Sequence, residues 1–398
     1  MPVRNSGASD VVIVEAVRTP IGRRHGGMSG FHSADLLGIT QAEVLRRAGA
    51  DSASVDQVIG GCISQVGQQA FNVTRTAWLT AGLPETTPAT TVDCQCGSSQ
   101  QANTLAHGLL ASGLVDVAMA CGVEVMSRVP LGSGLSSGVG KGVPKSYFSK
   151  YEYTTQFEAA ERIADEWGLT REDTDTLGVE SQTRAATAWV EGRFDSQIVG
   201  LDAPELDEDH KPTGVTHRVE RDECLRPTTM EGLAGLKPVA REHGVHTAGT
   251  SSQIADAAAS VLLTRRSMAV ELGLRPRARV IDSCIVGSDP VLMLTGPIPA
   301  TRKLLERNGM TINDVDIVEI NEAFASVVLA WERELKPDHD RVNPNGGAIA
   351  LGHALGSTGC VLLTKALHEL ERTDKSVALV TMCCGGGLAT ATLLERTW

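Results

Sequence analysis

The stretch Gly49-Ala50-Asp51-Ser52-Ala53-Ser54-Val55-Asp56-Gln57-Val58-Ile59 returns, much altered, as Gly309-Met310-Thr311-Ile312-Asn313-Asp314-Val315-Asp316-Ile317-Val318-Glu319, with glycine, Val-Asp and valine positions at one constant offset. A supersecondary unit repeated at that distance makes the chain a duplicated fold, two similar halves packed around a shared centre. Around each copy, β-branched apolar segments alternate with helix-period stretches. Val11 to Ala16, a helix near Ala34 to Ala48, Val58 to Cys62, a helix from about Ser99 and Val115 to Cys121 follow in that order. The alternation predicts strands joined by crossover helices in a buried sheet, an α/β fold. The strand leading to Met119-Ala120-Cys121-Gly122 also echoes the one leading to Met382-Cys383-Cys384-Gly385.

At 398 residues with 42% hydrophobic content, the chain is long enough for two or three packed domains. Forty-one glycines beside only 4% aromatics favour close packing and tight turns over a broad aromatic surface. The middle, from about Met126 to Ala248, differs: a Gly/Ser tract (Gly132 to Gly142), a helical region from Gln156 to Gly192 and an acidic stretch from Asp202 to Asp222 read as a long insertion that covers a site. A formal charge of −12 repels polyanions and argues against a nucleic-acid partner, while leaving room for an anionic cofactor bound locally. No signal-peptide core and no apolar run of about 18 residues is visible, so the expectation is a cytoplasmic protein without a membrane span. Nine cysteines without paired spacing are expected to be free thiols, and the absence of C-x-x-C beside His243-Gly244-Val245-His246 argues against zinc.

Two thiols stand where apolar segments meet glycine-containing turns. Cys96 precedes Gly97-Ser98-Ser99, where a helix start would favour a thiolate; a small buried cysteine that merely packs is the competing reading. As an extension of the strand, Cys94 and Cys96 would face the same side, so Cys94 is assigned that packing role only because Cys96 abuts the turn, and the resemblance below secures the choice. Cys383 precedes Gly385-Gly386-Gly387, which can turn N–H groups toward a ligand or simply form a tight connection. His353, after the loop Asn345 to Gly352, can accept a thiol proton, and Asn321 can donate to an oxyanion; surface or capping roles compete for both. These loops read as exposed. Gly134-Leu135-Ser136-Ser137-Gly138 matches a nucleophile elbow without its strand and helix, and Gly140-Lys141-Gly142 lacks the rest of a phosphate loop.

Four blocks in order resemble the thiolase family from about Val11 to Glu395: Cys96-Gly97-Ser98, Asn321-Glu322-Ala323-Phe324-Ala325, Gly352-His353 and Cys383-x-Gly385-Gly386-Gly387. The resemblance implies a duplicated thiolase fold with a five-layer α-β-α-β-α core. Its N-terminal half would span 1–125, completed by 250–275, with a loop domain over 126–249 and a C-terminal half over 276–398. It implies a ping-pong acyl transfer in which Cys96 carries the acyl group, His353 activates it and Cys383 moves the α-proton. One oxyanion site would use His353 with a water held by Asn321, the other the N–H groups of Cys96 and Gly385. Coenzyme A is then a substrate and no prosthetic group is needed; Arg226, Ser252, Ala323 and Phe324 are its implied contacts, and a homodimer or homotetramer the implied assembly.

Three departures bear on substrate. Thr155 and Gln156 stand where short-chain biosynthetic members carry His-Met, Ala354 replaces a usual proline and Asp93 a frequent asparagine. Thr91 to Gly97 and Gln156 to Arg162 look most like actinobacterial thiolases of steroid side-chain β-oxidation. The resulting expectation is thiolysis of a 3-ketoacyl-CoA to acetyl-CoA and a shortened acyl-CoA. Acetoacetyl-CoA synthesis and a non-catalytic acyl-CoA or sterol carrier are the alternatives.

Overall fold

The computed structural model describes residues 7, 10–135, 138, 140–209 and 211–397. In chain order the first half contains β1 (Val11–Arg18), β2 (Gly22–Arg23), α1 (Ser33–Ala48), β3 (Gln57–Gly61), α2 (Val73–Thr80), β4 (Ala89–Val92), α3 (Ser98–Ala111) and β5 (Val117–Val125). The insertion follows as α4 (Gln156–Glu166), α5 (Arg171–Val190), the hairpin β6 (Leu201–Leu206) and β7 (Pro212–Val219), and α6 (Met230–Ala234). The chain then returns through β8 (Ala255–Arg265), α7 (Arg266–Glu271), β9 (Ala278–Gly287), α8 (Pro297–Arg307) and β10 (Ile317–Ile320). It closes with α9 (Ala325–Leu335), α10 (Ala348–Leu351), α11 (Thr358–Thr373), β11 (Val377–Cys384) and β12 (Leu388–Arg396). The Ser136 and Ser137 of the elbow-like match lie outside the described residues.

The repeat seen in the sequence is a repeat of backbone requirements. Gly49 ends α1 at φ 67° and Gly309 follows α8 at φ 62°, a left-handed conformation that costs glycine little. Asp56 then accepts the N–H groups of Asp116 and Val117 at 2.7 and 3.0 Å, and Asp316 accepts those of Ser376 and Val377, both at 3.0 Å. Each aspartate thus pins the start of the next parallel strand.

The main sheet runs β10-β11-β12-β9-β1-β8-β5-β3-β4, with β2 on β8. Among the described residues its two halves pair where Val12 and Ile13 of β1 meet Arg279 and Ala278 of β9. Register fixes the equivalence: Ile59 pairs with Ala120 in one half, Glu319 with Val380 in the other, at the same offset that relates Gly49 to Gly309. The echo of Met119-Ala120-Cys121-Gly122 in Met382-Cys383-Cys384-Gly385 is therefore out of register, since Met119 corresponds in place to Leu379. Short runs of small apolar residues at strand ends resemble one another in any alignment. The counterpart of β4 in the second half is reduced to a single bridge, Val318 to Val342.

Helices α3 and α11 lie side by side between the two half-sheets. Ala102, Ala106 and Leu110 of α3 and Leu363, Ala366 and Leu367 of α11 share one buried cluster with Ala118, Ala120 and Val261 on one side and Val380 and Leu394 on the other. Outside, α1 and α2 cover the first half-sheet with Leu36, Leu37 and Trp78, and α8 and α9 cover the second with Leu304 and Trp331. The result is the α-β-α-β-α layering that the sequence implied. Strands buried on both faces read as near-continuous apolar runs, as β5 does apart from Glu124.

The central helices touch through their first turns. A Cβ on Gly359 would sit 2.2 Å from the backbone N of Gln100, and Cys360 N donates to Ser99 Oγ at 2.9 Å. The Gln100 side chain reaches through the layer, donating to Val380 O at 2.9 Å and accepting from Thr390 Oγ1 at 2.7 Å. Gly359→Ala should destabilise the protein by about 3 kcal/mol in a chemical denaturation, although alanine is the better helix former, because overpacking opposes the gain. A neutral or stabilising result would contradict the contact.

Candidate active site

Strand β4 stops at Val92, and the next five residues fold into a turn that ends as α3 begins. Gln95 occupies the left-handed region at φ 51°, Ser98 N donates to Gln95 O at 3.0 Å, and Cys94 N donates to Ser98 Oγ at 2.9 Å. Cys94 and Cys96 thus flank a turn and do not extend the strand. Cys94 shares a sulfur–sulfur hydrogen bond with Cys384, which lowers the Cys94 pKa and raises that of Cys384. Cys96 has different neighbours: the N–H of Gly385 and its own N–H act on its sulfur to lower its pKa.

Those donors favour a thiolate, as the helix start was expected to do, but desolvation is the larger effect. Burial pushes the Cys96 pKa up to about 12, so the resting group is a thiol. Cys383, two residues before Gly385, is 1% exposed, and burial followed by the charge of a Cys96 thiolate raises its pKa further. Cys383 therefore rests as a thiol. Gly386 and Gly387 turn the chain at φ 78° and 77°, and Gly387 lies against Ser288 O, leaving no room for a side chain.

The loops read as exposed are buried: His353 is 4% and Asn321 0% accessible. The insertion and the first half-sheet cover them, which loop composition cannot reveal. His353 N donates to Gln253 O at 2.9 Å, its Nδ1 lies 2.8 Å from Thr358 Oγ1, and its Nε2 lies 3.4 Å from Asn321 Nδ2. An amide donor at Nε2 places the ring proton on Nδ1, toward Thr358, and leaves Nε2 as the basic atom. Burial lowers the His353 pKa to about 4. The Asn321 Oδ1 is buried without a partner among the described residues, an acceptor open to a proton-bearing group. Leu351, Ala354 and Leu355, which flank His353, share an apolar cluster with Cys96.

Glu322, left without a role by the sequence, organises the loop that carries His353. It accepts from Ser181 Oγ at 2.6 Å, Asn343 Nδ2 at 3.0 Å and Ile349 N at 3.1 Å, and burial raises its pKa. Glu124 does the same beneath the helix α11 entrance, accepting from Ile63 N, Ser64 N and Gly356 N. Thr358 was also missed. None of the three carries a spacing signal, because their partners are remote in sequence; only the isolated carboxylates within apolar runs hint at Glu124 and Glu322.

The implied coenzyme A contacts fall in two places. Ser252 N donates to Ala323 O at 3.0 Å, and the Phe324 ring packs edge-on against Phe157 (5.4 Å) and His246 (5.6 Å), so these residues adjoin Asn321 and, through Gln253, His353. Arg226 lies apart from them. Its N donates to Gln182 Oε1 at 2.9 Å and its guanidinium to Ala248 O at 3.2 Å, on an open groove of about 390 Å³ formed with Thr183, Thr187, Pro227 and Thr228. His246 of the His-Gly-Val-His segment is buried against Glu161 at 3.3 Å.

Paired buried thiols, a neutral imidazole and backbone N–H groups facing a sulfur are the parts that an acyl transfer needs. The chain belongs to the thiolase family: the model of the thiolase N-terminal domain matches residues 11–267 and that of the C-terminal domain residues 274–396. It is 43% identical over 401 residues to the steroid 3-ketoacyl-CoA thiolase FadA6 of Mycobacterium tuberculosis, covering 99% of this chain and 96% of that protein. It is 41% identical over 404 residues to a beta-ketoadipyl-CoA thiolase of Escherichia coli, covering 97% and 99%. The crystal structure of the Bacillus anthracis acetyl-CoA acetyltransferase superposes with a TM-score of 0.88 at 35% identity, covering 98% of this chain and 99% of that one.

Two outcomes follow from this geometry. Protonated imidazole cannot accept the Cys96 proton, so acylation of Cys96 should stay level as pH falls through 6.5 and decline only near 4, followed by quenched-flow mass spectrometry. A decline centred at 6.5 would mean the ring is not desolvated. Thr358→Val, which removes the Nδ1 partner, should lower kcat about ten-fold with little change in KM.

Proposed function

We propose that this protein cleaves 3-ketoacyl-CoA by thiolysis, releasing acetyl-CoA and an acyl-CoA shortened by the acetyl unit. The observation that carries this reading is the Cys96 sulfur set against the Gly385 and Cys96 N–H groups, with Cys383 close enough to feel its charge. Cys96 gives its proton to His353 as its sulfur attacks the 3-keto carbon. The two N–H groups take the oxygen that becomes negative. The bond between the α-carbon and that carbon breaks, its electron pair passes to the departing acetyl-CoA enolate, and Cys383 protonates the α-carbon. His353 Nε2, with a water held by Asn321, stabilises the enolate oxygen. The thiol of a second coenzyme A, deprotonated by Cys383, then attacks the acyl-Cys96 thioester, and Cys96 leaves and takes back its proton from His353.

Burial explains why the proton moves with the attack and not before it. A thiol held near 12 and an imidazole held near 4 do not form a resting ion pair, so charge develops only when the substrate carbonyl arrives to share it.

Arg226, Ser252, Ala323 and Phe324 make the coenzyme A contacts in this reading, with the nucleotide end on the Arg226 groove and the insertion over 126–249 as the lid. No helix among the described residues is long and apolar enough to cross a membrane. A cytoplasmic homodimer or homotetramer belongs to the same reading and is open to sedimentation analysis. The acyl group is bulky: small Ala159 and Ala160 line the cluster around Cys383, and two named relatives act on acyl groups larger than acetyl.

Incubation with a 3-ketoacyl-CoA should leave an acyl adduct on Cys96 that Cys96→Ala abolishes; no adduct would favour a carrier. Cys383→Ser should reduce carbon–carbon cleavage roughly 10²–10⁴-fold. Long-chain or steroidal 3-ketoacyl-CoA should turn over better than acetoacetyl-CoA, and the reverse order would favour acetoacetyl-CoA synthesis.

A further inference from the structure

Beside the Gly385 N–H that faces Cys96, two glutamine side chains converge. A Cβ on Gly385 would lie 3.0 Å from Gln95 Oε1 and 3.4 Å from Gln156 Nε2. Gln95 reaches this point because its backbone is left-handed, φ 51°, a conformation uncommon for a residue with a side chain and concentrated at functional sites. Gln156 reaches it from the first turn of α4, whose N-cap Thr155 accepts from Glu158 N. Neither amide is consumed by the fold. Gln95 Nε2 makes only a 3.5 Å contact with Asp93 Oδ1, and no hydrogen bond joins the Gln156 amide to another described residue.

The surroundings are apolar. Cys383 clusters with Ala159, Ala160, Leu294 and Phe324, and Phe157, next to Gln156, packs on Phe324. A few placed polar groups in an apolar wall are how binding pockets fix orientation and choose among ligands.

We propose that Gln95 and Gln156 form a polar clamp that reads an oxygen on the acyl chain, a few bonds from the reacting carbonyl, so that oxygenated 3-ketoacyl groups are preferred over plain hydrocarbon chains. The proposal rests on the thiolysis reading above. Between them the amides offer a donor, Gln156 Nε2, and an acceptor, Gln95 Oε1, which match a hydroxyl on both counts and a keto oxygen on one. Asp93 holds the Gln95 N–H at 2.7 Å, and its carboxylate lies on the same turn. An uncharged oxygen is therefore a better match than a carboxylate, which would be repelled.

The test compares three 3-ketoacyl-CoA chains of equal length: saturated, bearing one added hydroxyl or keto group, and ending in a carboxylate. The unmodified protein should show kcat/KM about ten-fold higher for the hydroxyl or keto chain than for the saturated one, as expected of one substrate hydrogen bond. Gln156→Met should lower that ratio toward one. Gln95→Asn, which tolerates the left-handed backbone while withdrawing the amide, should do the same, so a folding defect in one variant leaves the other to decide. A carboxylate chain preferred by the unmodified protein over the hydroxyl or keto chain would overturn the proposal, because a clamp beside the Asp93 carboxylate repels an anion. A ratio near one in the unmodified protein, or a ratio that neither variant changes, would overturn the clamp. Absence of turnover with all three chains would overturn the thiolysis reading and the clamp together.

Discussion

Where α3 and α11 cross, Gly359 meets the backbone of Gln100 with no space for a methyl group, and this contact fixes how closely the helices that follow Cys96 and His353 approach. Cys96 lies in the turn that enters α3 and His353 in the segment that leads into α11, so two neighbouring helices position the thiol and the imidazole. The half-sheets then pack on opposite faces of that helical layer. Their common edge, a short pairing of β1 with β9, could not hold them in place alone. Close packing of small residues makes the layer rigid, and a rigid layer holds reacting atoms to the tolerance that catalysis requires.

Burial is the second organising condition, and its effects run in one direction. It keeps Cys96 and Cys383 protonated and His353 neutral, removing standing charge from the site. It also makes an unpaired polar group costly, and the carboxylates around the His353 loop are held by several donors. Glu322 collects Ser181, Asn343 and Ile349; Lys365 of α11 donates to Glu319 at 2.6 Å and to Gly346 O at 2.7 Å. These contacts fasten the His353 loop to the insertion, to β10 and to the central helix at once. Removing one partner would leave a buried charge uncompensated, so the network is costly to disturb.

What was legible in the chain was local. The glycine that ends a helix and the aspartate that starts a strand recur because each copy needs the same backbone geometry, and that recurrence revealed the duplication. Apolar periodicity placed most of the strands and helices of the core. The four motif blocks singled out Cys96, Asn321, His353 and Cys383, but spacing alone could not separate Cys96 from Cys94. The neighbours that separate them, Gly385 for one and Cys384 for the other, come from the far end of the chain.

Sequence by itself thus determined the repeated fold, the family and the identity of the thiols, imidazole and amide, because these depend on residue type and short-range pattern. Tertiary structure alone decided their protonation, the tautomer of His353, the parts played by Thr358, Glu322 and Glu124, and the convergence of Gln95 and Gln156 on Gly385. Desolvation and hydrogen-bond pairing depend on what surrounds an atom in space, and here those surroundings are assembled from segments hundreds of residues apart.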